Sequence, residues 1–296
     1  MIDLHIHSKY SDGSYTVKEI LQEAQKKELE IISITDHDKV DAYEELANLE
    51  VKRYFSGQIV PGCEFKCYFE EYKLPIEILG YGIDTNKLKE YNRENNISKI
   101  QDRYLQHLKK VGEQIGLKFD KDLRIDNELM AYASQIFQDE ILKYPENNEI
   151  LKKNNIDMNP NFYRAAQCNK NSIFYIDEEQ DFIKVGELLD RIHNANGIAF
   201  LAHPYIYKID NTEKMVEVLI QKYNLDGIEC YYSTFSSEQT EKMKSLCKKY
   251  NLFCSGGSDF HGKAKPDIQM GTGKGSLRVE KKYIDSWIQK MDNIID

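Results

Sequence analysis

Ile2-Asp3-Leu4-His5-Ile6-His7, continued by Ser8-Lys9-Tyr10-Ser11-Asp12-Gly13, is the most telling run in this 296-residue chain. Alternation of apolar and polar residues marks a strand, because successive side chains leave a pleated backbone on opposite sides. Ile2, Leu4 and Ile6 therefore share one face, and Asp3, His5 and His7 the other. Two imidazoles one residue apart on a strand point the same way and can share one ion. Asp12 follows in a tight turn.

Outward from this run, short β-like segments alternate with amphipathic helical ones. Thr16 and Glu19 form a capping-box pattern, and the helix they start carries Val17, Ile20, Leu21 and Ala24 on one side. Ile31–Thr35 reads as a buried strand running into Asp36-His37-Asp38, Gln58–Cys67 as a third strand containing Glu64, and Ile76–Tyr81 as a fourth containing Glu77. A helix over Val185–Asn196 stops at Gly197, a good residue for the position after a helix end. The strand Ile198–Ala202 ends in His203-Pro204. Gly227–Tyr231 and Leu252–Ser255 are two more strands with a helix between, the second leading into Gly256-Gly257-Ser258-Asp259-Phe260-His261. Tyr283–Ile295 reads as an amphipathic helix. This rhythm predicts an α/β fold with parallel strands. Between residues 85 and 181 the texture turns to Asn, Lys, Glu and Tyr, with helical periodicity over Leu88–Ile115 and Glu128–Leu142. The expected organisation is a barrel from residues 1–84 and 182–296, with 85–181 inserted as a helical cap over its mouth.

The net charge of −9 argues against a sequence-independent grip on duplex DNA, which needs a basic face, but leaves a small anionic substrate open. The six cysteines make no paired CxxC ladder and no disulfide framework, and Cys63 and Cys67 read as small buried residues of a strand. No apolar run is long enough to span a membrane. The first residues lack the pattern of a signal peptide, so a cytoplasmic protein is expected.

Five of the seven histidines, His5, His7, His37, His203 and His261, fall at or just past predicted strand ends, the edge where barrel enzymes gather catalytic groups. Asp12, Glu64 and Asp259 stand at matching positions. Packing these groups at one mouth without a cation is electrostatically poor, since clustered carboxylates repel and buried imidazoles need partners. Imidazole with carboxylate suits Zn, Mn or Fe as divalent ions. More than four candidate ligands imply more than one ion, with Glu64 as a natural bridge. Such ions do what phosphate-ester hydrolysis requires: they bind phosphoryl oxygens, generate hydroxide near neutral pH and stabilise the leaving alkoxide.

The run His5–Gly13, then Thr35-Asp36-His37-Asp38, Pro61-Gly62-Cys63-Glu64, Leu201-Ala202-His203-Pro204 and Gly257-Ser258-Asp259-Phe260-His261-Gly262, closely resembles the PHP (polymerase and histidinol phosphatase) family. The motifs come in the family's order and bracket nearly all of the chain outside the insertion. The resemblance implies a distorted (β/α)7 barrel with three ions. By motif position His5, His7, Glu64 and Asp259 would hold one, and Asp12, His37 and His261 another. Glu64 and His203 would hold the third. Where the family commonly has a histidine after the Glu64 motif, this chain offers Glu77, so two to three ions are expected. Within the family, the stand-alone phosphoesterases acting on nucleoside 3′,5′-bisphosphates and on ends of short oligonucleotides are the better match.

Around the centre, Arg103 and Lys263 are the candidate substrate cations, with Lys99, Arg93 and Arg164 more plausibly solvated charges. Tyr10 and Tyr231 sit beside ligand-bearing strand ends, where they would stack on a base or simply pack. His203, His261 or Asp36 is expected to assist protonation of the leaving group. For Asp36 and Asp38 flanking His37, orienting an imidazole, donating a proton and, for Asp38, capping a helix all fit. The expected function is hydrolysis of a phosphate monoester on a small metabolite, a nucleotide or a short single-stranded nucleic-acid end. A histidinol-phosphate-type phosphatase and a metal-binding regulatory domain without turnover are the alternatives.

Overall fold

A parallel pair of strands needs a long crossover between its members, whereas a short turn forces the chain to return antiparallel. This chain uses both devices. A computed structural model describes residues 1–88, 97–125, 132–156, 158 and 161–295. β1 (Ile2–Ile6), β2 (Ile31–Ile34) and β3 (Gln58–Ile59) form a parallel sheet in the order β1-β2-β3. β4 (Gly62–Phe69), β5 (Leu74–Tyr81), β6 (Ile198–Leu201), β7 (Gly227–Tyr232) and β8 (Phe253–Gly257) form a second sheet in chain order. β5 runs antiparallel to both β4 and β6, while β6, β7 and β8 are parallel.

Three expectations are corrected here. The strand read as one run from Gln58 to Cys67 breaks at Val60-Pro61, because proline has no N–H for the ladder. The Tyr43 hydroxyl clamps that break, donating to Ile34 O at 2.7 Å and accepting from Gly62 N at 2.8 Å. The strand around Glu77 is antiparallel, since only Glu70–Lys73 separate it from β4. The tail forms helix only over Asp285–Ile288; Ile295 instead pairs with Ile59 through bonds of 2.8 and 2.9 Å and covers the edge of β3. Ile284, Trp287 and Ile288 are still buried, as the periodicity required.

The two sheets meet at two seams. At one, His7 N donates to Phe260 O and Asp259 N to His5 O, both at 2.9 Å. Gly257 permits this approach: a Cβ there would lie 2.4 Å from the His5 backbone N. At the other, Asp38 N donates to Glu64 O at 2.8 Å, and Glu64 N to Asp36 O at 3.3 Å. The fold is thus mixed α/β.

α1 (Val17–Lys26) starts at the Thr16/Glu19 capping box and buries the four apolar residues the sequence marked. α2 (Asp41–Ala47) follows β2. The helix before β6 spans Val185–Asn194, and its left-handed closing residue is Asn196 (φ 62°). Gly197 is small for another reason, since a Cβ there would meet Ile83 at 2.6 Å.

The chain divides into two compact units, residues 1–94 with 183–296, and residues 95–182. Among its described residues the second unit has helices and no strand: α3 (Ile97–Ile115), α4 (Ala133–Ile141) and α5 (Asn147–Lys153), with a π turn at Tyr163–Gln167. Its own core includes Leu105, Leu108, Phe137, Phe162 and Phe174. The parts of the predicted helices over residues 89–96 and 128–131, and the Arg93 side chain, lie outside the described residues. α6 (Val185–Asn194), α7 (Thr212–Lys222) and α8 (Ser237–Tyr250) belong to the first unit, alternating with β6, β7 and β8. Among the described residues no helix is long and apolar enough to cross a membrane.

Candidate metal centre

The polar face of β1 supplies His5, and His7 follows directly after the strand. The segment after β2 supplies His37, β4 supplies Glu64, β5 supplies Glu77, and the segment after β6 supplies His203. Asp259 and His261 follow β8, and Asp12 comes from the loop after β1. Asp38, His203 and Asp259 have φ of 50°, 27° and 58°, turns that non-glycine residues adopt only at a cost of about 1–3 kcal/mol each. Such cost is tolerated where a side chain must be aimed.

Glu64 is the hub. Its Oε2 lies 3.2 Å from His5 Nε2, 3.3 Å from His7 Nε2 and 3.2 Å from His37 Nδ1, and its Oε1 is 2.8 Å from His203 Nε2. Asp12 Oδ1 is 3.2 Å from His261 Nε2 and 3.6 Å from His7 Nδ1, while its Oδ2 is 3.8 Å from His37 Nε2. Asp259 Oδ1 faces His7 Nε2 at 3.3 Å and His5 Nε2 at 3.6 Å. Glu77 Oε2 is 3.7 Å from His203 Nε2. Three sets offer donor atoms within 4.8 Å of one another: His7, Asp12, His37 and His261; His5, His7 and Glu64; and Glu64, Glu77 and His203.

Whether these residues fit metal ions is tested by their unmet bonding capacity. Glu64 Oε2, Asp12 Oδ1 and His203 Nδ1 are buried without an aligned hydrogen bond, and two of the three are oxygens of the proposed ligand set. A buried carboxylate oxygen ringed by nitrogens that do not bond it properly lacks a cation. The electrostatics agree. Burial alone would lower the pKa of His5 and His7. The carboxylates around them win, raising His5 well above 6.5, mainly through Glu64, Glu229 and Asp259. His7 rises to about 9 through Asp259, Glu64 and Asp12. Despite burial, the imidazoles hold Asp12 and Glu64 well below the usual carboxylate range, and Lys265 with the imidazoles does so for Asp259. His261 goes the other way, to about 4, because burial, Lys265 and His7 all oppose its charge. The pocket demands positive charge and takes protons where a metal would sit. The residues therefore fit divalent ions.

Sequence reading missed the residues that hold this centre in place. Glu229 accepts from His5 Nδ1 at 2.9 Å and from His203 N at 2.8 Å, fixing one ring and the turn behind another. It is the lone charge in Gly-Ile-Glu-Cys-Tyr-Tyr, the signal that could have found it. Tyr232 OH donates to Asp259 Oδ2 at 2.6 Å, and Lys265 Nζ reaches the same oxygen at 2.7 Å. Asp3, on the histidine face of β1, accepts from Ser258 N at 2.8 Å and from Gly271 N at 2.7 Å, tying the first strand to the last loops.

Other expected residues are placed less simply. Asp36 accepts from Ser8 N at 2.7 Å, Ser8 Oγ at 2.6 Å and Ser11 Oγ at 2.6 Å, so it holds the loop between His7 and Asp12. Asp38 accepts from Lys66 N at 3.1 Å and caps no helix; Val40 precedes α2. Lys263 is exposed, with its backbone N held by Ser14 Oγ, whereas Lys265 meets Asp259. Arg103 pairs with Asp181 inside the helical unit, and Lys99 is exposed. Tyr10 donates to Glu45 at 3.1 Å and Tyr231 packs on Tyr283, both structural uses.

Among curated proteins, a phosphoribosyl 1,2-cyclic phosphate 1,2-diphosphodiesterase from Eggerthella lenta is 23% identical over 88% of this chain and 94% of its own length. A 3′,5′-nucleoside bisphosphate phosphatase from Chromobacterium violaceum is 25% identical, covering 91% and 90%. A 5′-3′ exoribonuclease from Haemophilus influenzae is 24% identical, covering 88% and 89%. Of solved structures, an amidohydrolase from Chromobacterium violaceum holding sulfate superimposes with a TM-score of 0.71 at 20% identity, covering 99% of this chain and 97% of that one. That likeness shows a shared fold. The PHP domain description itself matches residues 3–230, which run from β1 through β7 and carry most of the histidine–carboxylate cluster, so the chain belongs to the PHP domain family.

Proposed function

We propose that this chain is a metal-dependent phosphoesterase that hydrolyses phosphate esters borne on a ribose, in a nucleotide such as a 3′,5′-bisphosphate or at the end of a short single-stranded oligonucleotide. The observation that carries the reading is Glu64 Oε2, buried, unbonded and within 3.3 Å of three imidazoles. The three relatives named above act, by name, on a ribosyl cyclic phosphate, a nucleoside bisphosphate and RNA, which share a phosphate ester on ribose.

In this reading His5, His7, Glu64 and Asp259 hold one ion, Asp12, His37 and His261 a second, and Glu64, Glu77 and His203 a third. When bound, two to three divalent ions (Mn, Fe or Zn) supply electrophilic stabilisation of phosphoryl oxygens and acidify water. The protein's own groups do the rest. Asp12 is the most exposed of the ligands near His7 and His261, its side chain 26% accessible, which marks the side from which a phosphate approaches. His203 is the favoured proton donor to the leaving oxygen: with Nε2 turned to Glu64 and Glu77, it would donate from Nδ1, which has no hydrogen-bond partner of its own. In His261 the nitrogen turned away from Asp12, Nδ1, already bonds Asp259 O at 2.9 Å, and Asp36 is engaged by the two serines, so they rank behind it. Arg103 and Lys263 stay as candidate cations for the substrate, and Lys265 joins them.

The same reading takes the two sheets as one distorted seven-stranded barrel, β3 and β4 being two parts of one strand kinked at Pro61, with residues 85–181 as its cap. The test is phosphate release from adenosine 3′,5′-bisphosphate, a 5′-phosphorylated oligonucleotide, a ribosyl cyclic phosphate and histidinol phosphate, alongside elemental analysis for Mn, Fe and Zn. Turnover of ribose esters with two or more metals per chain supports the proposal. Turnover of histidinol phosphate alone, or no metal after reconstitution, overturns it.

A further inference from the structure

Three of the six cysteines gather away from the centre just described. Cys230 lies on β7, Cys247 on α8, which packs on that strand, and Cys254 on β8, next to β7 in the sheet. Their sulfurs lie within 4.8 Å of one another, and Cys230 Sγ is 3.5 Å from Cys247 Sγ. Cys230 and Cys247 are buried, while Cys254 is partly exposed and gives the cluster a route to solvent. Cys230 stands in a bulge of β7 immediately after Glu229, whose carboxylate serves His5, so the two clusters share a strand but no ligand.

The spacing can be weighed against two kinds of bond. A disulfide needs sulfurs about 2.05 Å apart and leaves one thiol over. A cation about 2.3 Å from three sulfurs in a trigonal arrangement sets them about 4.0 Å apart, within the spacing this cluster already has. No histidine or carboxylate belongs to the set among the described residues. Thiolate ligands without imidazole or carboxylate select soft ions, and three of them without a fourth protein ligand favour a low-coordinate monovalent ion over the tetrahedral closure of structural zinc.

We infer that Cys230, Cys247 and Cys254 form a three-thiolate site for a soft, thiophilic cation, with Cu(I) the best match, separate from the imidazole–carboxylate centre. Binding displaces the thiol protons to solvent and involves no change of oxidation state. The three thiols are treated unequally: Cys230 and Cys247, with Lys244, lower the Cys254 thiol against its burial, whereas burial raises Cys230, and Cys254 with burial raises Cys247, so the cation must displace the protons of those two. The hard divalent ions of the phosphoesterase centre and the soft ion here would not compete, because the donor sets differ in kind.

The experiment is an anaerobic titration of the reduced full-length protein with Cu(I) against a chromophoric Cu(I) chelator, with X-ray absorption at the copper edge. The expected result is one equivalent taken up into a sulfur-only shell. Cys254→Ser, at a partly exposed position that should tolerate it, is expected to weaken uptake more than about a hundredfold, beyond what losing an outer partner costs. Cys168→Ser, a cysteine outside the cluster, should leave uptake unchanged. A nitrogen or oxygen shell, uptake indifferent to Cys254→Ser, or a Cys230–Cys247 disulfide with no copper uptake would overturn the inference. The absorption spectrum of the unsubstituted protein decides the matter even if the variant fails to fold, and phosphatase assays play no part in it.

Discussion

Two glutamates, one in each unit, are equally hidden from water and differently treated. Glu178 of the helical unit is 2% exposed; its Oε2 accepts from Tyr163 OH at 2.9 Å and its Oε1 from Gln167 Nε2 at 2.5 Å. Glu64 is fully buried, and its Oε2 has three imidazole nitrogens within 3.3 Å but no aligned hydrogen bond. Burying a carboxylate is costly unless donors meet it. At Glu178 the neighbouring side chains supply them, which makes that residue part of a core. Around Glu64 the backbone brings acceptors and titratable rings together in numbers that protein donors alone do not balance. A buried charge left short of partners is therefore more informative about function than a buried charge as such.

The sharpest way to break the contrast is to empty the hub. His5→Asn with His7→Asn should lower phosphatase activity by at least about a thousandfold, since metal ions contribute several kcal/mol to such transition states. Elemental analysis should show fewer metals per chain while circular dichroism stays native. Activity surviving in that variant would remove the centre from the mechanism.

Paired substitution of the two glutamates comes next. Glu64→Gln should cost about a hundredfold or more in kcat and reduce bound metal. Glu178→Gln should leave kcat within about threefold yet reduce stability to urea by about 1–3 kcal/mol, the cost of disturbing a buried hydrogen bond. Similar outcomes for both would erase the distinction.

The pH dependence of the metal-free protein follows with its sign. His7 is raised from 6.5 to about 9, so its stabilising contribution is complete below 6.5 and lost as pH rises through about 9. Asp12, Glu64 and Asp259 are lowered, so their contributions hold above the ordinary carboxylate range and fade only as pH falls through the depressed values. Melting of chelator-treated protein should thus fall between about pH 6.5 and 9. Apparent metal affinity should rise over the same window, by up to about a hundredfold, because the imidazole proton must leave first. A melting temperature that is flat across this window, or rises, contradicts the assignment.

Glu229→Gln, which loosens the support of His5 and His203 without removing a ligand, should weaken metal binding by about 10–100-fold. Competition with a metal-sensitive dye measures this, and partial rescue by excess metal would separate positioning from ligation. The smallest effect distinguishes two lysines. Lys265→Ala should raise KM about tenfold, the size of one charge-assisted hydrogen bond, and Lys263→Ala by less than about twofold. The reverse order would return Lys263 to the substrate site.

Much of this was legible in the sequence for identifiable reasons. His5 and His7 follow from the period of a strand, and α1 from the Thr16/Glu19 box, both local rules that β1 and α1 obey. The break at Pro61 was also local, but the continuous β pattern on either side hid it. The antiparallel return of β5 was written in the four residues Glu70–Lys73, too few for a crossover. The tail is a different case. Its helical period is real, yet pairing of Ile295 with Ile59 satisfies an otherwise open strand edge, and no local pattern announces that partner.

The sequence by itself determined which residue types would stand at the strand ends, because side-chain alternation and helix capping act over a few residues. Only the tertiary structure decided that Glu64, expected as a bridge, faces four imidazoles, that Glu229 and Tyr232 brace the cluster, and that Cys230, Cys247 and Cys254 meet. Those pairings join residues such as His5 and Glu229, 224 positions apart, and such contacts depend on strand order and twist rather than on any neighbouring residue.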